Sequence, residues 1–419
     1  MITYFSISEN TSYSEMDLVK KIKENLRILF ADHQEVRSEV TRDRDGEELK
    51  TFPDEIHLRE SASWLMRAQD ASPDHGVSRA YSASSLSPVG YKGWEPSYPE
   101  TTGYIIPTLF VLSNVLSDES LSIRAIQMAD WETEIQLPSG AVMGSVVTAP
   151  PSPAVFNTGQ VIFGWLAAFK ETGDQKYLDS AIRAGDFLLS VQERDGSWRK
   201  GNSRYALEKA TTYNTRVAWA LIELGRQTNQ DKYVDCGRKN IELALTKQLE
   251  NGWFSENCLN DPEKPLLHTI AYATRGILES GICLNESRYI DAAIKTLNAL
   301  LNCQRADGGI PGRLASDWSA KADWDCVTGN AQVAVIWLRA YAITGEKKYK
   351  DAAMSSIEFV KRTQNLEHPN PGIRGGVKGS FPFDGPYGQF EMLNWAAKFF
   401  CDALLMINDD SLSSKGIRG

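Results

Sequence analysis

The segment QERDGSW, residues 192–198, decides the fold because it recurs along the chain. A glutamine followed a few residues later by a glycine also occurs in five other segments, which begin at Gln69, Gln136, Gln248, Gln304 and Gln364. The intervals between the six glutamines are 67, 56, 56, 56 and 60 residues. A period of this length, with a turn that ends a helix in each copy, is typical of a repeat architecture. We therefore expect six structural repeats around one continuous core.

Two kinds of helix are predicted within each repeat. The segment before each Gln–Gly turn is amphipathic, as in residues 174–191, where apolar side chains recur at helical spacing. An earlier segment in each repeat, such as TGQVIFGWLAAFKETG (residues 158–173), is apolar nearly all round and must be buried on every side. Short polar turns join the two segments, as in a tight αα-hairpin. Each repeat is thus predicted as an inner helix, a turn, an outer helix and a long loop.

The repeats predict an all-α fold, the (α/α)6 toroid. Inner helices are expected to begin near residues 102, 157, 214, 268, 328 and 388, with an outer helix after each of the first five. Residues 54–69 supply the sixth outer helix, which should pair with the last inner helix and close the ring. Pro107 should kink the first inner helix or mark a late start.

Three regions are expected along the chain. Residues 1–50 form an N-terminal helical extension, with a helix over residues 14–33 and a charged linker over residues 42–50. Residues 51–410 form the toroid, which is the expected catalytic domain, and residues 411–419 form a flexible tail.

Composition limits the classes of function. The chain has 419 residues, of which 42% are hydrophobic and 24% charged, and it contains no apolar run long enough to span a membrane. The N-terminus lacks the features of a secretory signal, so a cytoplasmic location is expected. A net charge of −9 argues against a nucleic-acid partner. The six cysteines lie far apart, so neither a metal site nor a cofactor is expected, and the oligomeric state stays open.

The predicted architecture resembles that of six-hairpin glycosidases and toroidal polysaccharide lyases over residues 54–408. The segment SYPETTGYIIPTLF, residues 97–110, also resembles toroid proteins encoded in bacterial exopolysaccharide and capsule gene clusters. The segment FLLSVQERDGSW alone matches the QW repeat of squalene-type terpene cyclases, but the chain lacks their acidic DxDD motif. The resemblance implies an enzyme that acts on a bacterial, acidic polysaccharide or oligosaccharide.

One face of the toroid is expected to carry the site. Every inner helix presents its N-terminus there, and the long loops open onto the same face. Six helix N-termini also favour the carboxylates of an acidic sugar. The candidate catalytic residues are Glu100, Tyr213, His268, Asp325 and Asp384. The candidate substrate-binding residues are Trp94, Tyr98, Tyr104, Asn157, Asn214, Arg216, Tyr272, Asn330, Arg374 and Tyr387.

Glycosidic bond hydrolysis is the favoured chemistry. It needs one carboxylic acid to protonate the leaving oxygen and one carboxylate to activate water or to attack the sugar. Glu100 is the candidate acid, with Asp323, Asp325 or Asp384 expected on the other side of the cleft. Hydrolysis is favoured because the loops at this face carry more carboxylates than cations.

Three alternatives remain from the sequence. A uronate-specific lyase or a C5-epimerase would need a base, an acid and a group that neutralises the sugar carboxylate. These groups could come from Tyr213, Asn214, Arg216 and His268. A non-catalytic protein could use the same aromatic mouth to hold a glycan. Asn157 and Asn214 also fit a purely structural role as helix N-caps.

Overall fold

The fold is taken from a computed structural model, in which residues 34–45, 49–201, 206–207, 209 and 211–419 are described. The helix expected over residues 14–33 lies outside these ranges. In chain order the α-helices are α1 (Gln34–Arg44), α2 (Asp54–Asp70), α3 (Pro99–Leu116), α4 (Glu119–Glu134), α5 (Val155–Thr172), α6 (Gln175–Val191), α7 (Thr215–Thr228), α8 (Asp231–Leu245), α9 (Leu267–Leu284), α10 (Ser287–Leu301), α11 (Val327–Thr344), α12 (Lys347–Thr363), α13 (Asn394–Asn408) and α14 (Asp410–Lys415). A 3-10 helix spans Thr212–Asn214.

Twelve of these helices form two concentric rings, which confirms the predicted (α/α)6 toroid. The inner ring contains α3, α5, α7, α9, α11 and α13, and each packs against the next until α13 returns to α3. The outer ring contains α4, α6, α8, α10, α12 and α2, and α2 packs against α13 as predicted. The inner helix α11 is buried along all but its last turn, whereas α12 buries one face, as the two apolar patterns require.

Each of the first five hairpins turns at a single left-handed residue. The inner helices α3, α5, α7, α9 and α11 end at residues with φ between 52° and 72°, and the outer helix begins within two residues of each. The turn residues are Ser117, Gly173, Asn229, Asn285 and Gly345. A left-handed residue lets the chain reverse at once and satisfies a free carbonyl of the preceding helix.

The Gln–Gly turns join neighbouring outer helices. Gln192 Nε2 donates to the backbone oxygens of Gly196 at 3.2 Å and of Cys236, on the next outer helix, at 2.9 Å. Gly196 has φ +89°, and an added Cβ would lie 2.5 Å from the backbone oxygen of Lys239. Equivalent pairs of hydrogen bonds are made by Gln136, Gln248 and Gln304. The repeat therefore recurs because each copy must bring the end of one outer helix onto the backbone of the next.

Short antiparallel strands cover one end of the toroid. They are β1 (Ala80–Ser82), β2 (Gly93–Trp94), β3 (Asp325–Cys326), β4 (Ser380–Phe381) and β5 (Glu391–Leu393). The order in one sheet is β2–β1–β5, with Tyr81 opposite both Trp94 and Met392, and β3 pairs with β4.

Strand β5 explains the one inner helix whose predicted start is wrong. The other five inner helices begin within three residues of the predicted positions, but α13 begins at Asn394 rather than near residue 388. The segment before it pairs with β1, and backbone hydrogen bonds between strands exclude the helical conformation there. Helix α3 begins at Pro99 and runs through Pro107, so Pro107 does not mark a late start.

Two predictions about the ends of the described chain need correction. The charged linker was expected from residue 42, but α1 extends to Arg44 because Lys378 is buried between Glu39 at 2.8 Å and Asp43 at 2.6 Å. The flexible tail predicted over residues 411–419 is instead packed, with α14 followed by a buried Ile417.

The packed tail lies inside the inner ring. The backbone oxygen of Gly419 accepts from Arg275 at 3.2 Å and from Lys398 at 2.6 Å, and Arg275 also donates to the backbone oxygen of Ile417. These hydrogen bonds hold the segment in place. None of the helices in the described ranges is both long and apolar enough to cross a membrane.

Candidate active site

A cavity of about 680 Å³ opens at the end of the toroid where the inner helices begin. Its wall is largely aromatic, and it also carries charged and polar groups. The aromatic lining residues are Tyr91, Tyr98, Tyr104, Phe156, Tyr213, Tyr272, Tyr387 and Trp395. The charged and hydrogen-bonding lining residues include Arg79, Glu95, Glu100, Thr101, Ser145, Thr148, His268 and Thr269. A concave aromatic pocket with few convergent polar groups is the usual form of a small-molecule site.

The cavity brings together predicted residues that lie far apart in the sequence. Glu100 lies in the first turn of α3, Tyr213 in the 3-10 helix before α7, and His268 in the first turn of α9. Tyr387 reaches the same cavity from the loop before β5. These four residues face one space because the inner helices point their N-termini in one direction.

Glu100 is a cavity residue with a raised pKa. Its carboxylate accepts a hydrogen bond from the Tyr98 hydroxyl, which is 2.7 Å from Oε2. Burial raises the pKa of Glu100 to about 7, although the Tyr98 hydrogen bond and the positive charge of Arg216 both act to lower it. A carboxyl group with this pKa is protonated in a large fraction of molecules at neutral pH, as a general acid must be.

His268 is uncharged at neutral pH. Burial lowers its pKa to about 4, against the opposing effect of its hydrogen bond with Gln332. The two atoms of that bond, His268 Nδ1 and Gln332 Oε1, are 3.0 Å apart. Because a carbonyl oxygen can only accept, Nδ1 carries the hydrogen and Nε2 keeps a free lone pair. With a pKa this low, His268 is a hydrogen-bond acceptor and a weak base.

The tyrosines of the cavity keep their protons. Burial raises the pKa of Tyr213 and of Tyr272 above the ordinary tyrosine value, and it raises the pKa of Tyr387 strongly. A tyrosine that abstracts a proton needs a lowered pKa. These hydroxyls are therefore suited to donate hydrogen bonds to a ligand rather than to act as bases.

Two glutamates, Glu95 and Glu391, form ion pairs with Arg79 beside the cavity. Arg79 Nη2 donates to Glu95 at 3.1 Å and to Glu391 at 2.8 Å, and Arg79 Nε also contacts Glu95. The guanidinium lies 5.5 Å from the centre of the Trp395 ring. Burial, opposed by Arg79 and reinforced by the charge of Glu95, raises the pKa of Glu391 to about 7. Glu95 and Glu100 are the two carboxylates that line the cavity within the described ranges.

Arg79 and Trp395 line the cavity but were not predicted from the sequence. Arg79 lies in a loop with no pattern that distinguishes it from a solvated arginine. Trp395 was predicted to lie in the interior of the last inner helix, because a helix start near residue 388 would place it two turns after the N-terminus, away from the cavity. The actual start at Asn394 brings Trp395 into the first turn, where it reaches the cavity.

The aspartates predicted opposite Glu100 do not line the cavity. Asp325 is buried and paired with Arg305 through two contacts of 2.8 and 2.7 Å. Asp384 is buried and accepts from Arg44 on α1. Asp323 is exposed. The prediction that one of them faces Glu100 is therefore wrong, because Asp325 and Asp384 hold loops by pairing with arginines.

The three predicted asparagines bond to segments that precede the inner helices and do not line the cavity. Asn157 Nδ2 donates to a backbone oxygen of the preceding loop at 3.1 Å. Asn330 Nδ2 donates to the backbone oxygens of Cys326 at 3.0 Å and of Ile310 at 3.2 Å. Asn214 Nδ2 donates to the Thr211 hydroxyl at 3.0 Å. Their polarity serves the loops that precede the inner helices.

Two other predicted binding residues also lie outside the cavity. Trp94 packs against Trp64, with ring centres 5.2 Å apart, and anchors β2. Arg374 has a half-exposed side chain, with its Nε 4.0 Å from Glu60. Trp94 thus has a structural role as an anchor for β2, and Arg374 is an arginine in contact with solvent, as most arginines are.

Arg216 lies inside the inner ring rather than in the cavity wall. It is fully buried, and its Nε donates to Gln160 Oε1 at 2.6 Å. Its guanidinium carbon lies 4.7 Å from the ring centre of Tyr272 and 5.9 Å from that of Tyr104, both of which line the cavity. Arg216 thus lies behind the aromatic wall.

Groups of three or more His, Cys, Asp or Glu side chains able to hold a metal ion are absent from the described ranges.

The fold defines the class of protein with which this chain can be compared, the (α/α)6 toroids. No protein-family model matches the sequence, and a search of curated protein sequences finds no match. Solved structures do match. One is a cellobiose 2-epimerase from Bacillus thermoamylovorans B4167, with a TM-score of 0.66 and 14% sequence identity over 84% of this chain and 98% of the other.

Unsaturated glucuronyl hydrolases are equally similar. The enzyme from Bacillus sp. GL1, described as responsible for the degradation of glycosaminoglycan, has a TM-score of 0.66 and 13% identity over 84% of this chain and 96% of the other. The enzyme from Streptococcus agalactiae has a TM-score of 0.63 and 13% identity over 88% and 96%. Likeness at this identity establishes the shared fold and leaves function to the site.

Proposed function

We propose that this protein is a glycan-processing enzyme that cleaves a glycosidic bond with Glu100 as the general acid. The observation that carries the proposal is the pKa of about 7 of a glutamate in the wall of a large aromatic cavity. The solved structures that share the fold act on glucuronyl sugars or on cellobiose, as their descriptions state, and so support a carbohydrate substrate. The aromatic rings offer flat surfaces for sugar rings, and the protonated tyrosines offer hydrogen-bond donors.

In the proposed reaction Glu100 protonates the oxygen of the leaving group. Glu95, which Arg79 holds in the same wall, is the carboxylate available to activate a water molecule. This assignment replaces the aspartates expected from the sequence. Two carboxyl groups with different surroundings, one whose pKa is raised by burial and one paired with an arginine, form the usual basis for separate acid and base roles.

Proton abstraction by the Tyr/His set is the second candidate. It is favoured by the neutral His268, which lines the cavity with a free ring nitrogen, and it would suit a C5-epimerase or a uronate lyase. It is weakened by the raised tyrosine pKa values and by the low basicity of His268. A protein that only binds a glycan would use the same cavity without needing a protonated Glu100.

The proposal extends to the setting of the reaction. The substrate is a bacterial polysaccharide or oligosaccharide of the kind made by exopolysaccharide gene clusters, and the protein acts on it in the cytoplasm. Residues 51–410 form the catalytic domain. The proposal requires no cofactor or metal.

A substrate panel tests the reaction type. The protein is incubated with acidic and neutral polysaccharides and with unsaturated oligosaccharides, while reducing ends and absorbance from C=C bonds are followed together. Hydrolysis raises reducing ends alone, whereas a lyase raises both signals. In the active case, Glu100→Gln should lose about 10²-fold or more of turnover and still bind, with Glu250→Gln, an exposed glutamate, as the matched control. If Glu100→Gln keeps full activity while His268→Ala is inactive, proton abstraction by the Tyr/His set becomes the better account and hydrolysis with Glu100 as the acid is wrong.

A further inference from the structure

The interior behind the cavity contains a positive charge, on Arg216, without an ion-pair partner. Both terminal nitrogens of Arg216, Nη1 and Nη2, have no hydrogen-bond partner, and none of the salt bridges within the described ranges includes this residue. The Nε2 donor of Gln160, whose oxygen holds Arg216 Nε, is likewise buried without a partner. An unpaired buried cation is costly, and donors in such a place require acceptors.

Aromatic rings surround the guanidinium but do not satisfy its N–H groups. Five ring centres lie within 6 Å of the guanidinium carbon, and they belong to Tyr104, Phe163, Trp219, Tyr272 and Phe399. Contacts of this kind stabilise the charge through the faces of the rings. The N–H bonds lie in the guanidinium plane, so two of its edges still need acceptors.

The neighbouring charges do not supply an acceptor either. Burial, and next the charge of Arg216, lower the pKa of Arg275 to about 10. Lys398 is a third buried cation of this interior, and it is paired with Asp402 at 2.7 Å. The carboxylate of Asp402 is thus already bound by Lys398 and by the Thr108 hydroxyl, and it forms no salt bridge with Arg216.

We propose that Arg216 and Gln160 form a buried anion-binding site behind the cavity wall, with Tyr272 beside it. The ligand is a small, singly charged group that only accepts hydrogen bonds. The carboxylate of an acidic sugar that reaches past the wall would satisfy this chemistry, and so would a free halide ion. A planar carboxylate suits the two Nη groups, because a guanidinium presents parallel donors along one edge. The site does not depend on the reaction proposed above.

Calorimetric titration of the whole protein tests the site. The probes are sodium glucuronate, sodium chloride and glucose, at matched ionic strength. We expect the wild-type protein to bind at least one of the two anions, and Arg216→Met to weaken that binding by about tenfold or more, as expected for the loss of hydrogen bonds to a charged group. Arg374→Met, which removes a half-exposed arginine that does not line the cavity, is the matched control and should bind as the wild type does.

The probes distinguish the two sources of the anion. Binding of glucuronate without binding of chloride identifies a sugar carboxylate as the ligand, while binding of chloride alone identifies a free ion. Binding of glucose as tightly as glucuronate, unchanged affinity in Arg216→Met, or no anion binding by the wild type overturns the proposal. Since none of these measurements needs turnover, they remain informative if the proposed reaction is wrong.

A second experiment avoids the risk that Arg216→Met fails to fold. Crystals of the wild-type protein grown in sodium bromide should show an anomalous peak within hydrogen-bonding distance of the Arg216 Nη atoms. Gln160→Met, which removes the acceptor that orients Arg216, should weaken the peak. Absence of the peak at saturating bromide, together with absence of glucuronate binding, would leave no anion site.

Discussion

The raised pKa of Glu100 can be tested without knowing the substrate. In the unfolded chain a glutamate titrates near its ordinary pKa of 4.5, whereas the folded protein holds the Glu100 proton up to a pH of about 7. Between these two values the unfolded state releases the proton and the folded state does not. The contribution of Glu100 to stability is therefore fully present below pH 4.5 and is lost as pH rises to about 7.

The expected size follows from the shift. A difference of about 2.5 pKa units corresponds to about 3 kcal/mol of unfolding free energy. This value is an upper bound, because one side of Glu100 faces a cavity that admits water. Glu100→Gln removes the titration, so the variant should gain up to about 3 kcal/mol relative to the wild type between pH 4.5 and pH 8.

Urea denaturation at several pH values measures this difference. All other titrating groups are shared by the two proteins and cancel in the comparison. Glu250→Gln, at an exposed glutamate, controls for the chemical change. If the stability difference between Glu100→Gln and the wild type is the same at pH 4.5 and pH 8, Glu100 has an ordinary pKa and cannot be the neutral acid of the proposed reaction.

Three further predictions follow from individual contacts. Gly308→Ala should destabilise the protein by about 2–5 kcal/mol, because the added Cβ would lie 2.0 Å from a backbone oxygen of α12. Gly345→Ala should cost only about 1–2 kcal/mol, because Gly345 has φ +70° but open space around it. Equal urea midpoints for the two variants would contradict this account. Both carboxylate oxygens of Glu132 are buried without partners, and burial raises its pKa well above normal. Its contribution to stability is therefore lost as pH rises, so the melting temperature of Glu132→Met should fall less between pH 6 and pH 9 than that of the wild type. Tyr98→Phe removes a hydrogen bond that lowers the pKa of Glu100, so the alkaline limb of the pH–rate profile should move to higher pH. A shift to lower pH would show that the hydrogen bond favours the protonated form of Glu100.

The sequence alone determined the toroid. In the turns at Gln136, Gln192 and Gln248, the glutamine bonds to the next outer helix 44 residues away, and the glycine allows the close approach. One local motif thus encodes the contact between neighbouring repeats. The inner helices are encoded by being apolar on all sides. Both signals are short in range and repeated, which is why five of the six inner starts were predicted within three residues.

The sequence also indicated three residues that line the cavity, because Glu100, Tyr213 and His268 stand at or beside inner-helix starts. Only the tertiary structure decided which other charges reach the cavity. Arg79 pairs with Glu391 across 312 residues of sequence. Arg44 pairs, across 340 residues, with Asp384, one of the carboxylates predicted opposite Glu100. Neither pairing has a local signal, because any exposed loop can carry an arginine or an aspartate. Burial and ion pairing, which set the pKa of each group, arise only when the ring closes and brings these loops together.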